Sequence, residues 1–309
     1  MHGVLLIDKQ PGCTSHDVVA NVRKILKTKS VGHAGTLDPS ASGLMIVLVG
    51  EATKLSDYLL TGDKGYVVKV KLGVETDTDD FDGNVLKENP VTVNETEIMS
   101  AVFEMTGDLE LAPPLFSAIK VNGKKMYEEG RKQRAEGEYD LSKLTPRLMS
   151  FYNLKLENVD LTNNEVTVSM DCSKGSYIRA WARELGKKLN CGASVKELRR
   201  TWSEPFRVED AVTVGELETT SDISSHKSFV KLSEVLSHWD QMPVLDQDEK
   251  SIRNGQISKF TFSDLLRRYP VYEDAPEGVR VISQTSGKLV SVLTKEPGQG
   301  FRIKRVFNY

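Results

Sequence analysis

The stretch whose reading decides the fold is Val31–Val49, VGHAGTLDPSASGLMIVLV. Its first part is broken every few residues by turn formers, Gly32, Gly35, Pro39 and Gly43, and it carries a single acid, Asp38. Its second part, LMIVLV from Leu44 to Val49, is the most apolar run in the chain and reads as a buried strand. A loop made of turns is therefore anchored to a core element. An Asp ahead of Pro reads most simply as an Asx turn or a helix cap. The alternative is a carboxylate held rigidly at the mouth of a pocket, and the company Asp38 keeps elsewhere in the chain separates the two.

Outward from the loop, Gly3 to Ile7 reads as a short strand and Pro11-Gly12 as a turn. Thr14 with Asp17 has the form of a capping box, and Val18, Val19, Val22, Ile25 and Leu26 follow at helical spacing. A basic helix thus ends just before the quoted loop. On the other side, Thr53 to Leu60 reads as a helix, and GYVVKVKL, Gly65 to Leu72, as a half-buried strand. The acidic stretch ETDTDDFDG, Glu75 to Gly83, resembles a calcium loop but lacks the closing Glu of that motif, so it reads as a solvated turn. Asn94 with Glu97 caps a helix bearing Ile98, Val102 and Phe103, and Ala118 to Val121 returns as a strand.

Residues 122–145 are polar, charged and Gly-containing, with a helical piece from Tyr127 to Ala135, and read as an inserted arm. Leu148 to Leu161 and Glu165 to Cys172 form a hairpin across Asn163-Asn164. Ser176 opens a helix with Ile178, Trp181, Ala182, Leu185 and Leu189 on one face. From Val244 onward, short apolar runs such as VRVI at Val279 and LVSVL at Leu289 lie between turns, which predicts a small β-rich domain. The expected division is a catalytic-sized domain over 1–240 and a second domain over 244–309.

Composition is that of an ordinary globular protein, 39% hydrophobic and 28% charged over 309 residues. The apolar start before Asp8 is too short for a signal-peptide core, and no run approaches a membrane span, so the expectation is a cytoplasmic protein without a membrane segment. Cys13, Cys172 and Cys191 show neither disulfide nor zinc spacing and read as reduced thiols; no metal site is expected. The net charge of −3 hides an uneven distribution. Met1 to His33 carries +3, Ser117 to Arg134 +4 and Lys174 to Arg207 +6. Converging in space, these blocks make an anion-binding face; apart, they are separate solvated faces.

GHAGTLDP followed by SASGLM resembles the first motif of the tRNA pseudouridine synthase B family, the bacterial enzymes that isomerise the T-loop uridine 55 of tRNA. Other stretches match in the family's order. GVLLIDKQPGCTSHDVV, with Lys9, resembles the opening segment, and KGYVVKVKLGVETDTDDFDG, with Tyr66, the second motif. PPLFSAIKVNGKKMY resembles the central segment, CSKGSYIRAWARELG, with Arg179, the third motif, and CGASVKELRR, with Leu198, the last catalytic-domain motif. RNGQ at Arg253 and the terminal strands are similar to the family's PUA-like domain. The sequence departs from the pattern at Leu111, where Gln is usual, and at Gly130, where Ala is usual.

The resemblance implies an α/β (α+β) pseudouridine synthase fold: a mixed, mainly antiparallel sheet flanked by helices, plus a small C-terminal PUA-like β domain. It implies a reaction with no cofactor, in which the uracil glycosidic bond breaks, the base turns and carbon 5 rejoins the ribose. Asp38 is then the catalytic carboxylate, as nucleophile at ribose carbon 1′ or as the base that takes a ribose proton. Arg179 is its cationic partner, since a guanidinium stays charged when buried. Tyr66 packs on the uracil with its hydroxyl as base for the carbon-5 proton, and Leu198 packs on the opposite face. His33, just ahead of Asp38, is the candidate to brace the RNA loop after the base flips out, the alternative being a histidine that caps its own loop. Lys9, Lys64, Lys120 and the arm from Lys124 to Arg134 grip phosphates of the T-arm. The expected partner is tRNA alone, bound by a monomer with no obligatory protein partner. A guide-RNA-dependent synthase is the rival within the superfamily, and an RNA-binding or tRNA-folding protein the rival outside it.

Overall fold

The computed structural model of the chain describes residues 1–117, 119–121, 124–137, 144–269, 278–296 and 300–309. Its leading elements are β1 (Gly3–Lys9), α1 (Ser15–Ile25), β2 (Val31–Ala34), β3 (Ser42–Val49) and β4 (Lys64–Leu72). After them come α2 (Glu95–Glu104), β5 (Gly107–Leu111), α3 (Met126–Glu136), β6 (Arg147–Asp160), β7 (Glu165–Cys172), α4 (Ile178–Lys188) and β8 (Ala193–Ser203). The last are β9 (Phe229–Lys231), β10 (Asp240–Val244), β11 (Gly278–Ser283), β12 (Leu289–Glu296) and β13 (Gly300–Val306).

One mixed sheet runs β9-β1-β3-β8-β4-β7-β6-β5, with β2 pairing to β3 and Phe206–Arg207 to β8. Along that path every pairing is antiparallel except β3 with β8, which is parallel. At this junction Gly43 has φ +101, and a Cβ there would stand 2.2 Å from the Arg200 carbonyl oxygen. Only glycine lets the two strands approach so closely. The end of the Asp38 loop is thereby fixed to β8.

The LMIVLV run is unbroken because β3 is covered on both faces. Met45, Val47 and Val49 join the core beneath α1, α2 and α4, with Val18, Val22, Ile98, Val102, Trp181 and Leu185. Leu44, Ile46 and Leu48 face a second core with Ala52, Leu55 and Leu236. Ile282, Leu289, Val292 and Phe307, from or just after the strands of a separate four-stranded sheet, β10-β11-β12-β13, complete that second core. By contrast β4 and β7 alternate buried with part-exposed residues, as their sequence alternation requires.

Both capping boxes form, Thr14 with Asp17 and Asn94 with Glu97. Two features go beyond the sequence expectation. CGASVKELRR, assigned to no element, is the central strand β8; its charges face a cavity and a groove rather than the helix-covered core. The β-rich region after Val244 also carries two helices, Asp246–Arg253 and Lys259–Arg268. Their polarity concealed them, since Ile252 is the one buried residue of the first, and Thr261 and Leu265 are those of the second. The arm contains its helix, α3, while its residues 122–123 and 138–143 and the strand residue Ala118 lie outside the described residues. Among the described residues no helix is long and apolar enough to cross a membrane.

Candidate active site

The loop between β2 and β3 is tied at nearly every peptide. Ser15 at the start of α1 accepts from Leu37 N at 3.0 Å and donates to the Leu37 carbonyl at 3.1 Å. Gly12 N donates to the Pro39 carbonyl, and Ala41 N closes a turn onto the Asp38 carbonyl. From below, the Lys9 ammonium donates to the carbonyls of Gln10 (3.2 Å), Pro39 (3.0 Å) and Ala41 (2.6 Å). The phosphate contact expected of Lys9 does not hold: it is 1% exposed and its three donors are all used on backbone. Lys9 instead sets the loop that carries Asp38.

The Asp38 side chain caps no turn; it faces a guanidinium. Arg179, at the start of α4, reaches Asp38 with Nε at 3.0 Å and Nη2 at 3.3 Å, a two-point contact. Arg179 is buried while Asp38 stays one-third exposed, open to the cavity. The remaining guanidinium donors go to the carbonyls of Thr78 (3.0 Å) and Phe116 (3.1 Å), with Asp80 at 3.4 Å. Burial pulls the Arg179 pKa down, but Asp38, Asp80 and Asp79 more than reverse it, so the cation is secured.

This contradicts the solvated-turn reading of Glu75–Gly83. Asp77, Thr78, Asp79 and Asp80 are all buried. A buried carboxylate is tolerated only when paired and hydrogen-bonded, and here each acid has its own arginine. Asp77 holds Arg134, Asp79 holds Arg183, and Asp80 holds Arg179. The Asp80 carboxyl also accepts from Thr78 Oγ1 and Asp82 N. Burial nevertheless lifts its pKa above the usual carboxylate range, against the pull of Arg179. Arg179 and Arg183 of the basic blocks are thus neutralised inside the fold rather than displayed, and the one-third exposed Arg134 is paired with a buried acid.

Around Asp38 opens a cavity of about 360 Å³ whose wall includes Tyr66, Arg179, Leu198, Lys64, Phe116 and Arg200. Four sequence-predicted residues therefore meet Asp38 at one site. Tyr66, on β4, is directly paired across the ladder with Arg200 on β8. Burial raises its pKa, with the Arg200 charge acting in the opposite sense, so the resting group is a neutral phenol. Lys64 lies on the same wall, donating to the Gly62 (2.5 Å) and Leu60 (3.4 Å) carbonyls; burial and then Arg200 lower its pKa.

Residues 23–178 match the model of the TruB family pseudouridylate synthase (N terminal domain), and residues 179–242 that of the tRNA pseudouridylate synthase B C-terminal domain. The chain belongs to the TruB family. It is 41% identical to tRNA pseudouridine synthase B of Bdellovibrio bacteriovorus over 100% of this chain and 97% of that protein. It is 33% identical to the protein of that name from Geobacillus thermodenitrificans over 97% of this chain and 96% of the relative. Among solved structures, a Cbf5-Nop10-Gar1 complex has a chain that superposes with a TM-score of 0.69 at 23% identity, covering 99% of this chain and 84% of that one. An archaeal box H/ACA Nop10-Cbf5 complex gives 0.68 at 21%, covering 99% and 86%, and both likenesses concern the fold.

Not every expected residue of this TruB-family chain lines the cavity. His33, on β2, is half-buried beside His16 of α1, ring centroids 5.7 Å apart and edge to face. Burial and then the His16 charge lower its pKa, which leaves it neutral near pH 7. The Lys120 side chain lies outside the described residues. Sequence reading missed Asp80, Phe116 and Arg200. Arg200 is buried and gives Nε to the Leu44 carbonyl at 2.7 Å, with the Thr36 and Gly35 carbonyls at 3.4 Å. Its signal was present in LRR: on a strand, Leu198 and Arg200 project to the same face.

Proposed function

We propose that the protein converts the T-loop uridine at position 55 of tRNA to pseudouridine, acting alone in the cytoplasm as a monomer. The observation that carries this reading is the two-point contact of buried Arg179 on the one-third exposed Asp38, in the cavity that also presents Tyr66 and Leu198. The reaction is mass-neutral. The N1–C1′ bond breaks, the uracil turns, a C5–C1′ bond forms, the carbon-5 proton departs and N1 gains a proton.

Attack at carbon 1′ and abstraction of a ribose proton both require an ionised carboxylate in a partly dry site. Arg179 supplies the charge that offsets desolvation of Asp38. The Asp38 loop, tied to Ser15, Gly12 and Lys9, holds the carboxylate in one place, and such positioning is itself a large share of catalysis. In this reading the Tyr66 ring and Leu198, which line the same cavity, sandwich a flipped uracil. The Arg200 guanidinium beside Tyr66 lowers the cost of phenolate character when the carbon-5 proton is removed. Lys64 and Arg200 give that wall a positive potential suited to the flipped nucleotide's phosphate. His33 then braces the RNA loop, Lys120 and the arm from Lys124 hold the T-arm backbone, and the sheet β10–β13 serves as a PUA-like module.

The experiment is an assay of the purified chain on an unmodified tRNA transcript, with no cofactor, guide RNA or other protein. The expected result is pseudouridine at position 55 at up to one per tRNA. Absence of pseudouridine, or its formation only with an added guide RNA, overturns the reading.

A further inference from the structure

Arg134 of α3 is part of the arm, yet its charge is turned inward. Its guanidinium forks onto Asp77, Nε to Oδ2 at 2.6 Å and Nη2 to Oδ1 at 2.8 Å. Its Cζ lies 4.4 Å from the centroid of the Phe116 ring. Asp77 is 6% exposed, and its Oδ1 also accepts from Asn84 N, which closes the acidic turn.

Those two contacts coincide with the two segments that hold Arg179. Thr78, next in the chain to Asp77, gives its carbonyl to Arg179 Nη1, and Phe116 gives its carbonyl to Nη2. Asp80 of the same turn faces Nη1. One guanidinium on the outer side thus joins both segments around the inner one. A fork on a carboxylate combined with an aromatic face fixes the planar group in orientation as well as place. The arm is also anchored nearby, through Tyr127 N to the Ser117 carbonyl.

We propose that Arg134 is a positioning residue: the seated arm uses it to lock the acidic turn against Phe116 and thereby sets Arg179 on Asp38. This rests on the roles given above to Asp38 and Arg179. It also separates Arg134 from the phosphate-gripping cations expected of the arm. Seating the arm and aligning the catalytic pair become one event, so RNA that holds the arm in place also completes the site.

The test is single-turnover pseudouridine formation at saturating T-arm RNA, with RNA affinity and its salt dependence, for wild type, Arg134→Gln, Asp77→Asn, the double variant, Arg134→Lys and Asp38→Asn. Arg134→Gln and Asp77→Asn should each slow the saturating rate by about tenfold or more. The double variant should be no slower than the slower single one, as coupled residues require. Affinity should stay within a few-fold and the salt slope unchanged. Arg134→Lys should remain slow, because an ammonium cannot reproduce the fork.

Multiplicative losses, a rate restored by Lys, or weaker binding with a salt slope reduced by about one at normal rate would each overturn the proposal. If Asp77→Asn does not fold by thermal melting, Arg134→Gln and Arg134→Lys decide by the same readouts. An active Asp38→Asn would remove the underlying site reading as well. An inactive Asp38→Asn beside a normal Arg134→Gln removes this inference alone.

Discussion

The loop Gly35–Gly43 and the turn Thr76–Gly83 are both short, both rich in turn formers, and both deliver a carboxylate to Arg179. The first leaves its acid one-third exposed on a backbone fastened by Ser15, Gly12 and Lys9. The second buries Asp77, Asp79 and Asp80 and matches each with an arginine. In the proposed function one segment presents a carboxylate for reaction, and the other pairs its buried carboxylates with cations. The difference lies in where the partners come from. The loop is held largely by backbone and by neighbours from the amino-terminal segment, whereas the turn is held by side chains that arrive from α3 and α4.

That contrast can be broken at either segment. The larger effect is expected at Asp80, whose carboxyl pKa is raised by burial. Protonation removes one of the two carboxylates facing Arg179, so the wild-type saturating rate should decline through an inflection above the usual carboxylate range. Asp80→Asn is neutral at every pH: it should lack that inflection and run about a hundredfold slower on its plateau. The pH–rate profiles of the two proteins check this, and coincident profiles would show that Asp80 does not act through Arg179.

A smaller effect is expected at Lys9, which sharpens the other half of the comparison. Lys9→Met takes the ammonium donor from the Ala41 carbonyl and leaves the Pro39 carbonyl with Gly12 N, at a cost of about 1–3 kcal/mol in stability for a buried group left unpaired. The saturating rate should fall about tenfold while the salt dependence of tRNA binding is unchanged. A salt slope reduced by about one with a normal rate would return Lys9 to the phosphate-contacting role.

Much of the sheet was legible because its periodicities are local: the two-sided run in β3, the alternation in β4 and β7, and the capping boxes at Thr14 and Asn94. The meeting of Asp38, Tyr66, Arg179 and Leu198 was legible through motif resemblance and not through spacing, since β3, β4, α4 and β8 are far apart in the chain. The acidic turn was misread for a physical reason. Composition reports charge, but burial of that charge depends on arginines some fifty to one hundred residues away, and local sequence carries no trace of the pairing. Lys9 was misread in the same sense: a lysine that fastens backbone carbonyls is indistinguishable, in sequence, from one that meets phosphate.

The central claim, that Asp38 is the reacting carboxylate, is tested most directly by replacing it with its neutral isostere. Wild type and Asp38→Asn are incubated with the same unmodified tRNA, and pseudouridine at position 55 is measured alongside tRNA affinity. The account predicts no detectable product from Asp38→Asn, with affinity within a few-fold of wild type. Product at the wild-type rate, or loss of product explained entirely by loss of binding, would contradict it.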